Sequence, residues 1–363
     1  MARKKKFSKA LSVVLAILCF FGGAVGGFFG YFKLTIPTET EVYVSGDLVI
    51  NFIELGNKYT GDCTYIKAGD TDILIDAGSK TASVGTIDAF LKKNVTDGVL
   101  EYVIVTHAHE DHYAGFATGE DADSLFDLYE CEVIIDFSRV TEGKEDQKMY
   151  KNYLRERDAE IANGAKHYTA EQCMNEGKNK FDLGSGIELE ILDSYFYYNV
   201  AETENDHSVC TMINQGDRHF LFTGDLEKKG EEKLVEMNDL PEVALYKAGH
   251  HGSKTSSHNV LLEAIKPEIV CVCCCAGSSE YTSKNENQFP TQEFIDRIAP
   301  YTDKVYVTTL CVDYENDKFE SMNGNIKVTS SANGIKVRCS KNNTVLKDTE
   351  WFKRARVCPD AWK

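Results

Sequence analysis

Three histidines and an aspartate fall within six positions of "VIVTHAHEDHYAG" (103–115): His107, His109, Asp111 and His112. Imidazole and carboxylate together suit zinc, manganese or iron. The run "EYVIVTH" (101–107) reads as a buried strand, so His107 and His109, two apart at its end, leave on the same side and can converge on one ion. Asp111 and His112 follow where the chain turns and point to a second place nearby. Four ligands on a single catalytic ion would leave it no room for water, so the cluster predicts two metals. A polar loop that is merely rich in histidine is the bland alternative, and the recurrence of ligand-type residues downstream argues against it.

The second feature is "FLFTGDLE" (220–227), a hydrophobic strand that delivers Asp225 to a sheet edge. A carboxylate can bridge two cations about 3.5–4 Å apart. The competing role for Asp225 is a helix N-cap ahead of "LEKKGEEKL". The third feature is "YKAGHHGSKTSS" (246–257), again a strand, then paired histidines in a glycine turn. Either His250 or His251 could complete the second metal, the other being an ordinary loop residue. His167, His219 and His258 have no partner motif and read as structural. Cys271 and Cys274 form a C-x-x-C inside the apolar run "EIVCVCCCAG" (268–277), where small buried thiols are favoured over zinc or redox chemistry.

These residues need strands to end beside one another. "LVINFIELG" (48–56) and "CTYIKAGDTDILIDAGS" (63–79) read as a meander with glycine turns. Helical spacing appears at 81–94, 144–164 (with Gly164 as stop signal), 228–237, 256–266 and 291–299, and a shorter helix around 123–130. Strands are expected at 131–136, 165–170, 187–192, 208–214, 218–225 and 243–252, with further strands near 304–310, 324–329 and 333–339. Such mixing predicts two mixed sheets packed together with helices outside.

The chain has 363 residues and a net charge of −17. Residues 1–37 carry six basic and no acidic residues, which leaves 34 basic against 57 acidic residues in the remainder. A body this acidic repels polyanions at long range, so a nucleic-acid substrate would need a local basic patch. Leu11 to Phe32 is free of charge over 22 residues; as a helix it would rise about 33 Å, enough to cross a hydrocarbon core of about 30 Å. The expected organisation is a cytoplasmic basic flank (1–10), a transmembrane anchor (11–32), a linker (33–47), a hydrolase-like domain (48–340) and a C-terminal tail (341–363). The flanking cations favour a single-pass protein of the cell membrane with its domain extracytoplasmic. Secretion after signal cleavage near Ala24-Val25-Gly26 is the alternative. Twelve cysteines do not settle the redox compartment.

The three stretches, in this order and each after a strand ending, resemble the metallo-β-lactamase superfamily, and within it the hydrolase domain at the C-terminus of ComEC-type DNA-uptake proteins. The matching residues are "ILIDAG" (73–78), "THAHEDHYAG" (106–115), "NDHSVCTMINQGDRHFLFTGDLE" (205–227) and "KAGHHGSKTSS" (247–257). The resemblance implies an α/β (α+β) fold, an αββα sandwich with the site at one edge between the sheets. It implies a first site of His107, His109 and, as an open alternative, His207. The second site would use Asp111, His112 and His250, with Asp225 bridging. Many superfamily members hold a histidine where His207 stands, whereas the ComEC-like branch often holds another residue. Asp76 is expected to orient the metal loop through hydrogen bonds rather than to ligate.

Two divalent ions, Zn²⁺ or Mn²⁺, would lower the pKa of a shared water from about 16 to about 7. Asp111 and Asp225 are the expected catalytic carboxylates, Asp111 holding the hydroxide in line. The segment "SKTSS" (253–257) reads as the start of a helix whose amides, with His251, Ser253 and Thr255, would cradle an anionic oxygen of the substrate. That tilts the expectation from a lactam to a phosphoester: a membrane-anchored dinuclear hydrolase of phosphodiesters, in nucleic acid such as DNA or in a cell-surface phosphoester. The rival is a non-catalytic surface binding module that retains the fold. Oligomeric state is not legible.

Overall fold

A computed structural model describes residues 47–119 and 122–363. The expected basic flank, transmembrane anchor and nearly all of the linker lie outside the described residues. Among the described residues, no helix is long and apolar enough to cross a membrane.

The chain first lays down β1 (Leu48–Phe52), β2 (Thr64–Ala68), β3 (Thr71–Ile75), β4 (Val99–Val105), β5 (Glu130–Asp136) and β6 (Lys166–Thr169). It then builds β7 (Lys180–Asp182), β8 (Ile187–Ile191), β9 (Thr211–Gln215), β10 (Arg218–Phe222), β11 (Leu245–Lys247), β12 (Val270–Ala276), β13 (Val305–Asp313) and β14 (Lys318–Ser321). Finally β15 (Ile326–Ser331) and β16 (Gly334–Cys339) return to the first sheet. The two eight-stranded sheets run β16-β15-β1-β2-β3-β4-β5-β6 and β14-β13-β12-β11-β10-β9-β8-β7. β1 to β3 are the expected antiparallel meander, and β3 to β6 pair in parallel. In the second sheet β10, β11, β12 and β13 pair in parallel.

Residues of both sheets share one apolar core; Phe52 and Phe222, one from each sheet, lie with ring centroids 6.4 Å apart. A second core lies under helices α3 (Lys228–Met237), α4 (Asn259–Ile265) and α5 (Gln292–Ile298), which bury Leu234, Leu262 and Phe294. Helices α1 (Val84–Leu91) and α2 (Lys148–Asn163) bury Ile87, Leu91 and Tyr153 in the first core. α2 stops at Gly164, whose φ of 129° suits glycine. These are two mixed α/β sheets around a shared core with helices outside, as the sequence led one to expect.

One expectation is borne out and another is refined. The cysteines of β12 are buried free thiols, but Cys271 joins the inter-sheet core and Cys274 the outer one, so they cannot share an ion. The segment 341–363, read as a tail, folds onto the second core through Leu346, Trp351, Phe352 and Trp362 in helix α6 (Glu350–Ala355) and its flanks.

Candidate metal centre

Parallel pairing places the carboxyl ends of β3 and β4 side by side in one sheet, and those of β10 and β11 side by side in the other. Asp76 follows β3, His107 follows β4, Asp225 follows β10, and His250 and His251 follow β11. Such crevices beyond the carboxyl ends of parallel strands are where open α/β sheets bind ligands.

Asp76 fixes the metal loop at both ends. Its carboxylate accepts from the Thr106 amide and hydroxyl, each at 2.8 Å, and from His112 Nδ1 at 2.7 Å. Gly78 lets the loop approach from the other side: a Cβ there would lie 1.5 Å from the Asp111 carbonyl oxygen. That carbonyl also accepts from the Asp62 amide at 3.0 Å.

With Nδ1 of His112 donated to Asp76, its Nε2 lone pair faces the crevice. His251 Nδ1 donates to the Cys273 carbonyl at 2.9 Å, which frees its Nε2 in the same way. The two Nε2 atoms lie 3.3 Å apart, and Asp225 Oδ2 sits 3.1 Å from one and 3.2 Å from the other. Asp111 Oδ2 lies 3.3 Å from His251 Nε2. A tetrahedral ion with bonds of about 2.0–2.1 Å has ligand-to-ligand edges of about 3.3 Å. His112 Nε2, His251 Nε2 and Asp225 Oδ2 therefore have the spacing of a metal shell, with Asp111 Oδ2 beside it at His251. Asp225 Oδ1 is buried with no hydrogen-bond partner, a further sign that this donor set fits a cation.

Asp62, which the sequence reading passed over, also falls in this cluster: with His112, Asp225 and His251 it places one ligand-type atom of each within 4.8 Å. Its carboxylate meets the Nδ1 side of the rings, 3.8 Å from His112 and 3.2 Å from His251, where the hydrogens are already committed. Its Oδ2 is in close contact with the ammonium of Lys247, itself buried in β11 and 3.9 Å from Asp225 Oδ1. Asp62 thus packs behind the two rings, while Asp111 reaches the group at His251 Nε2. A signal existed: Thr60-Gly61-Asp62 repeats Thr223-Gly224-Asp225, and Lys247 is a charge inside an apolar run.

Burial alone would lower the pKa of His112, yet the Asp225 and Asp76 carboxylates raise it to about 10; Asp225 and Asp62 raise His251 likewise. Protons there supply the positive charge these acids demand, so a metal that binds must release them. His107 moves the opposite way: burial and the neighbouring His112 and His109 hold it neutral.

Several predicted residues stand elsewhere than expected. His107 Nε2 lies 3.1 Å from His109 Nδ1, so that pair converges as read. His207 ends a short turn over Glu204–His207 and is buried, with its Nε2 free of any hydrogen bond, so it keeps the form of a ligand. Its Nδ1 faces the Phe196 carbonyl at 3.2 Å, and the next residue, Ser208, turns its hydroxyl to His107 Nδ1 at 3.4 Å. The paired histidines exchange roles: His250 Nε2 is 3.9 Å from Asp225 Oδ2, and its Nδ1 contacts Thr255 Oγ1 at 2.9 Å. Both occupy left-handed backbone (φ 45° and 55°), a cost of about 1–3 kcal/mol each that typically marks a functional turn.

The expected anion cradle is absent. The helix starts at Asn259, past "SKTSS", and the amides of Ser257 and His258 are taken by the buried Glu231 carboxylate. Ser253 and Thr255 bond each other at 3.1 Å, while Arg297 binds the carbonyls of Lys254, Ser256 and Ser257. The open side of the centre instead faces a cavity of about 630 Å³ lined by Lys80, Lys144, Tyr113, Met149, Tyr281 and Phe289 among others. Tyr281, also missed, donates its hydroxyl to Asp111 Oδ2 at 2.7 Å; nothing in its local sequence announced it.

Residues 56–121 match the family model described as Metallo-beta-lactamase superfamily. The chain is similar to Recombination protein 2 of Haemophilus influenzae, at 24% identity over 266 residues, 72% of this chain and 28% of that protein. It is also similar to Competence protein ComA of Neisseria gonorrhoeae, at 34% identity over 128 residues, 34% of this chain and 17% of that one. In each case the match spans less than a third of the curated relative. Among solved structures, the metallo-beta-lactamase fold protein YhfI from Bacillus subtilis aligns with a TM-score of 0.41 and 12% identity, over 73% of this chain and 96% of that one. The resemblance to the metallo-β-lactamase superfamily and to ComEC-type competence proteins holds.

Proposed function

From the family-model match of residues 56–121 and the shape of the centre, we propose that this chain is a hydrolase of phosphodiester bonds that uses two divalent ions, Zn²⁺ or Mn²⁺. The observation that carries the reading is the convergence of His112 Nε2, His251 Nε2 and Asp225 Oδ2 at 3.1–3.3 Å spacings, with Asp111 Oδ2 3.3 Å from His251 Nε2. When bound, such ions make hydroxide available near neutral pH and neutralise charge on phosphoryl oxygens.

The chain's own residues do the rest. Asp76, Asp62 and the Cys273 carbonyl orient the two imidazoles. Asp111, gripped by Tyr281, is placed to accept a proton from the attacking water and to hold it in line. Lys144 on the cavity wall favours an anionic ester over a neutral lactam, Lys80 there being paired to Glu110 at 2.8 Å, and Tyr281 and Phe289, with centroids 5.8 Å apart, offer aromatic surface beside it. Relatives named for recombination and competence favour DNA among the anionic esters, and a cell-surface phosphoester is the other substrate class. Anchoring by residues 11–32, with the domain outside the cell membrane, belongs to the same proposal.

The test compares the purified chain on single-stranded DNA and on bis-(p-nitrophenyl) phosphate with Mn²⁺ or Zn²⁺. Cleavage of either, lost in Asp225→Ala, supports the reading. Failure to cut both, with metal occupancy confirmed, overturns it.

A further inference from the structure

The segment 341–363 reaches the cavity as well as the second core. After α6 comes Arg356, whose buried guanidinium donates to the Gln288 carbonyl at 2.5 Å and to the Pro290 carbonyl at 2.9 Å. Between those two stands Phe289, and its own carbonyl accepts from the Gly277 amide at 2.9 Å, so three consecutive carbonyls are held. The guanidinium lies over the Trp351 ring, 4.8 Å from its centroid. One residue on, the Val357 amide and carbonyl pair with the Gln292 side chain at 2.8 and 2.9 Å. Packing alone does not call for an arginine here, because Trp351, Phe352 and Trp362 already bury the apolar side of the segment. A buried guanidinium is costly unless acceptors meet it, and what its acceptors fix is the backbone on both sides of Phe289.

The residue so held is a wall of the cavity at the metal centre. The Phe289 ring centroid lies 5.8 Å from that of His250, 5.9 Å from that of His251 and 5.8 Å from that of Tyr281. Phe289 and Tyr281 both line the cavity of about 630 Å³. Tyr281 is 56% exposed although its hydroxyl is tied to Asp111 at 2.7 Å, so its ring presents open surface there instead of filling a core. Rings anchored in this way suit stacking with a planar group, which every nucleobase offers.

We propose that Arg356 is a positioning residue of the substrate site: by holding the carbonyls on either side of Phe289, it fixes a Phe289–Tyr281 wall on which a planar aromatic group of the phosphodiester rests. This rests on the hydrolase reading and narrows its substrates to esters that carry such a group, nucleotides among them. A guanidinium spans two carbonyls in one plane and stacks on an indole at the same time, which an ammonium cannot do.

The experiment measures cleavage by the full-length chain, loaded with Mn²⁺, of a thymidine strand and of an abasic strand of equal length. The wild-type KM for the abasic strand should exceed that for thymidine by about tenfold. Arg356→Ala and Phe289→Ala should each reduce that ratio to about twofold or less, with kcat changed less than KM. The double variant should be no worse than either single one, because Arg356 acts through Phe289. Trp362→Phe, which loosens the same segment at its contact with the Thr302 carbonyl, should leave the ratio unchanged and so separates positioning from general loss of stability. Where Arg356→Ala fails to fold, Arg356→Lys decides by the same ratio. If the wild type cuts bis-(p-nitrophenyl) phosphate alone, its nitrophenyl rings are the aromatic group, and the Arg356 variants must raise KM for that diester by about tenfold. Cleavage with no shift in the folded Arg356 variants overturns this proposal alone, whereas a metal-loaded wild type that cuts none of these substrates overturns the hydrolase reading with it.

Discussion

Gly78 sits where the turn after β3 touches the metal loop, and replacing it with alanine puts the new carbon 1.5 Å from the Asp111 carbonyl oxygen and 2.0 Å from the carbonyl carbon. Ordinary contacts need about 3.5–4.0 Å, so one of the two segments must retreat by about 2 Å. Neither moves freely. The Asp111 carbonyl accepts from the Asp62 amide at 3.0 Å, and the Ala77 amide donates to the His112 carbonyl at 2.7 Å. Overpacking of a fixed interior contact costs about 1–3 kcal/mol and more when backbone must shift, so about 3 kcal/mol or above is expected for Gly78→Ala. For a chain of this size that lowers the melting temperature by about 6 °C or more. The same 2 Å carries Asp111 and His112 out of a shell whose edges are 3.1–3.3 Å, so metal affinity should fall by about 100-fold or more. The matched control is Gly85→Ala in α1, where an added carbon meets nothing within 4 Å and helix propensity favours alanine by about 0.8–1.0 kcal/mol. Calorimetric melting and metal titration of the two variants check this. If Gly78→Ala melts with the wild type and binds metal equally well, the turn does not support the loop as described.

His251→Ala should abolish tight metal binding, while His250→Ala should leave it within about threefold, because only the former supplies a shell nitrogen; metal titration of both decides, and the reverse order would restore the pairing read from sequence. Lys247→Met leaves the buried Asp62 and Asp225 facing one another without their cation and should cost about 3–5 kcal/mol, read as a fall in the urea midpoint; the added change Asp62→Asn should recover part of it. Away from the centre, buried Asp136 accepts from Tyr153, Arg157 and His167 at 2.8–2.9 Å. Burial would raise its carboxyl, but His167 and Arg157 hold it below its ordinary 3.8. Its contribution is therefore complete above about pH 4 and is lost as pH falls through the lower folded value. The urea midpoint of Asp136→Asn should lie well below that of the wild type at pH 7, and the gap should narrow below pH 3; a gap that does not change with pH contradicts the assignment.

What the sequence disclosed and what it withheld follow from the range of the forces involved. Strand and helix periodicity are local, so β4, β10, α2 and α3 stand close to where alternation, helical spacing and Gly164 put them. The ligand motif at 107–112 is equally local, and its strand ending delivers it to the crevice as read. Errors begin where two neighbours compete for one direction. His250 and His251 differ by a single step of backbone, and the step is set by a tertiary contact: the Cys273 carbonyl claims the ring of His251.

The run 253–257 failed for a related reason. Its serines are sound helix-cap residues, but a buried carboxylate from α3, Glu231, reaches the amides first and delays the helix to Asn259. A carboxylate without a protein cation is costly to bury, and Glu231 can lie there only because those amides and His258 Nδ1, at 3.0 Å, satisfy it. The same cost applied to the centre gives the strongest physical reason to expect metal. Asp62, Asp76, Asp111 and Asp225 lie together with little exposure, and Lys247 is the one ammonium the described residues bury among them. A fold that sets three buried acids and the part-exposed Asp111 at one crevice, and bends two histidines into left-handed backbone beside them, is stable in that form when further positive charge arrives. Protons on His112 and His251 can provide it, and a divalent ion at the same nitrogens provides more.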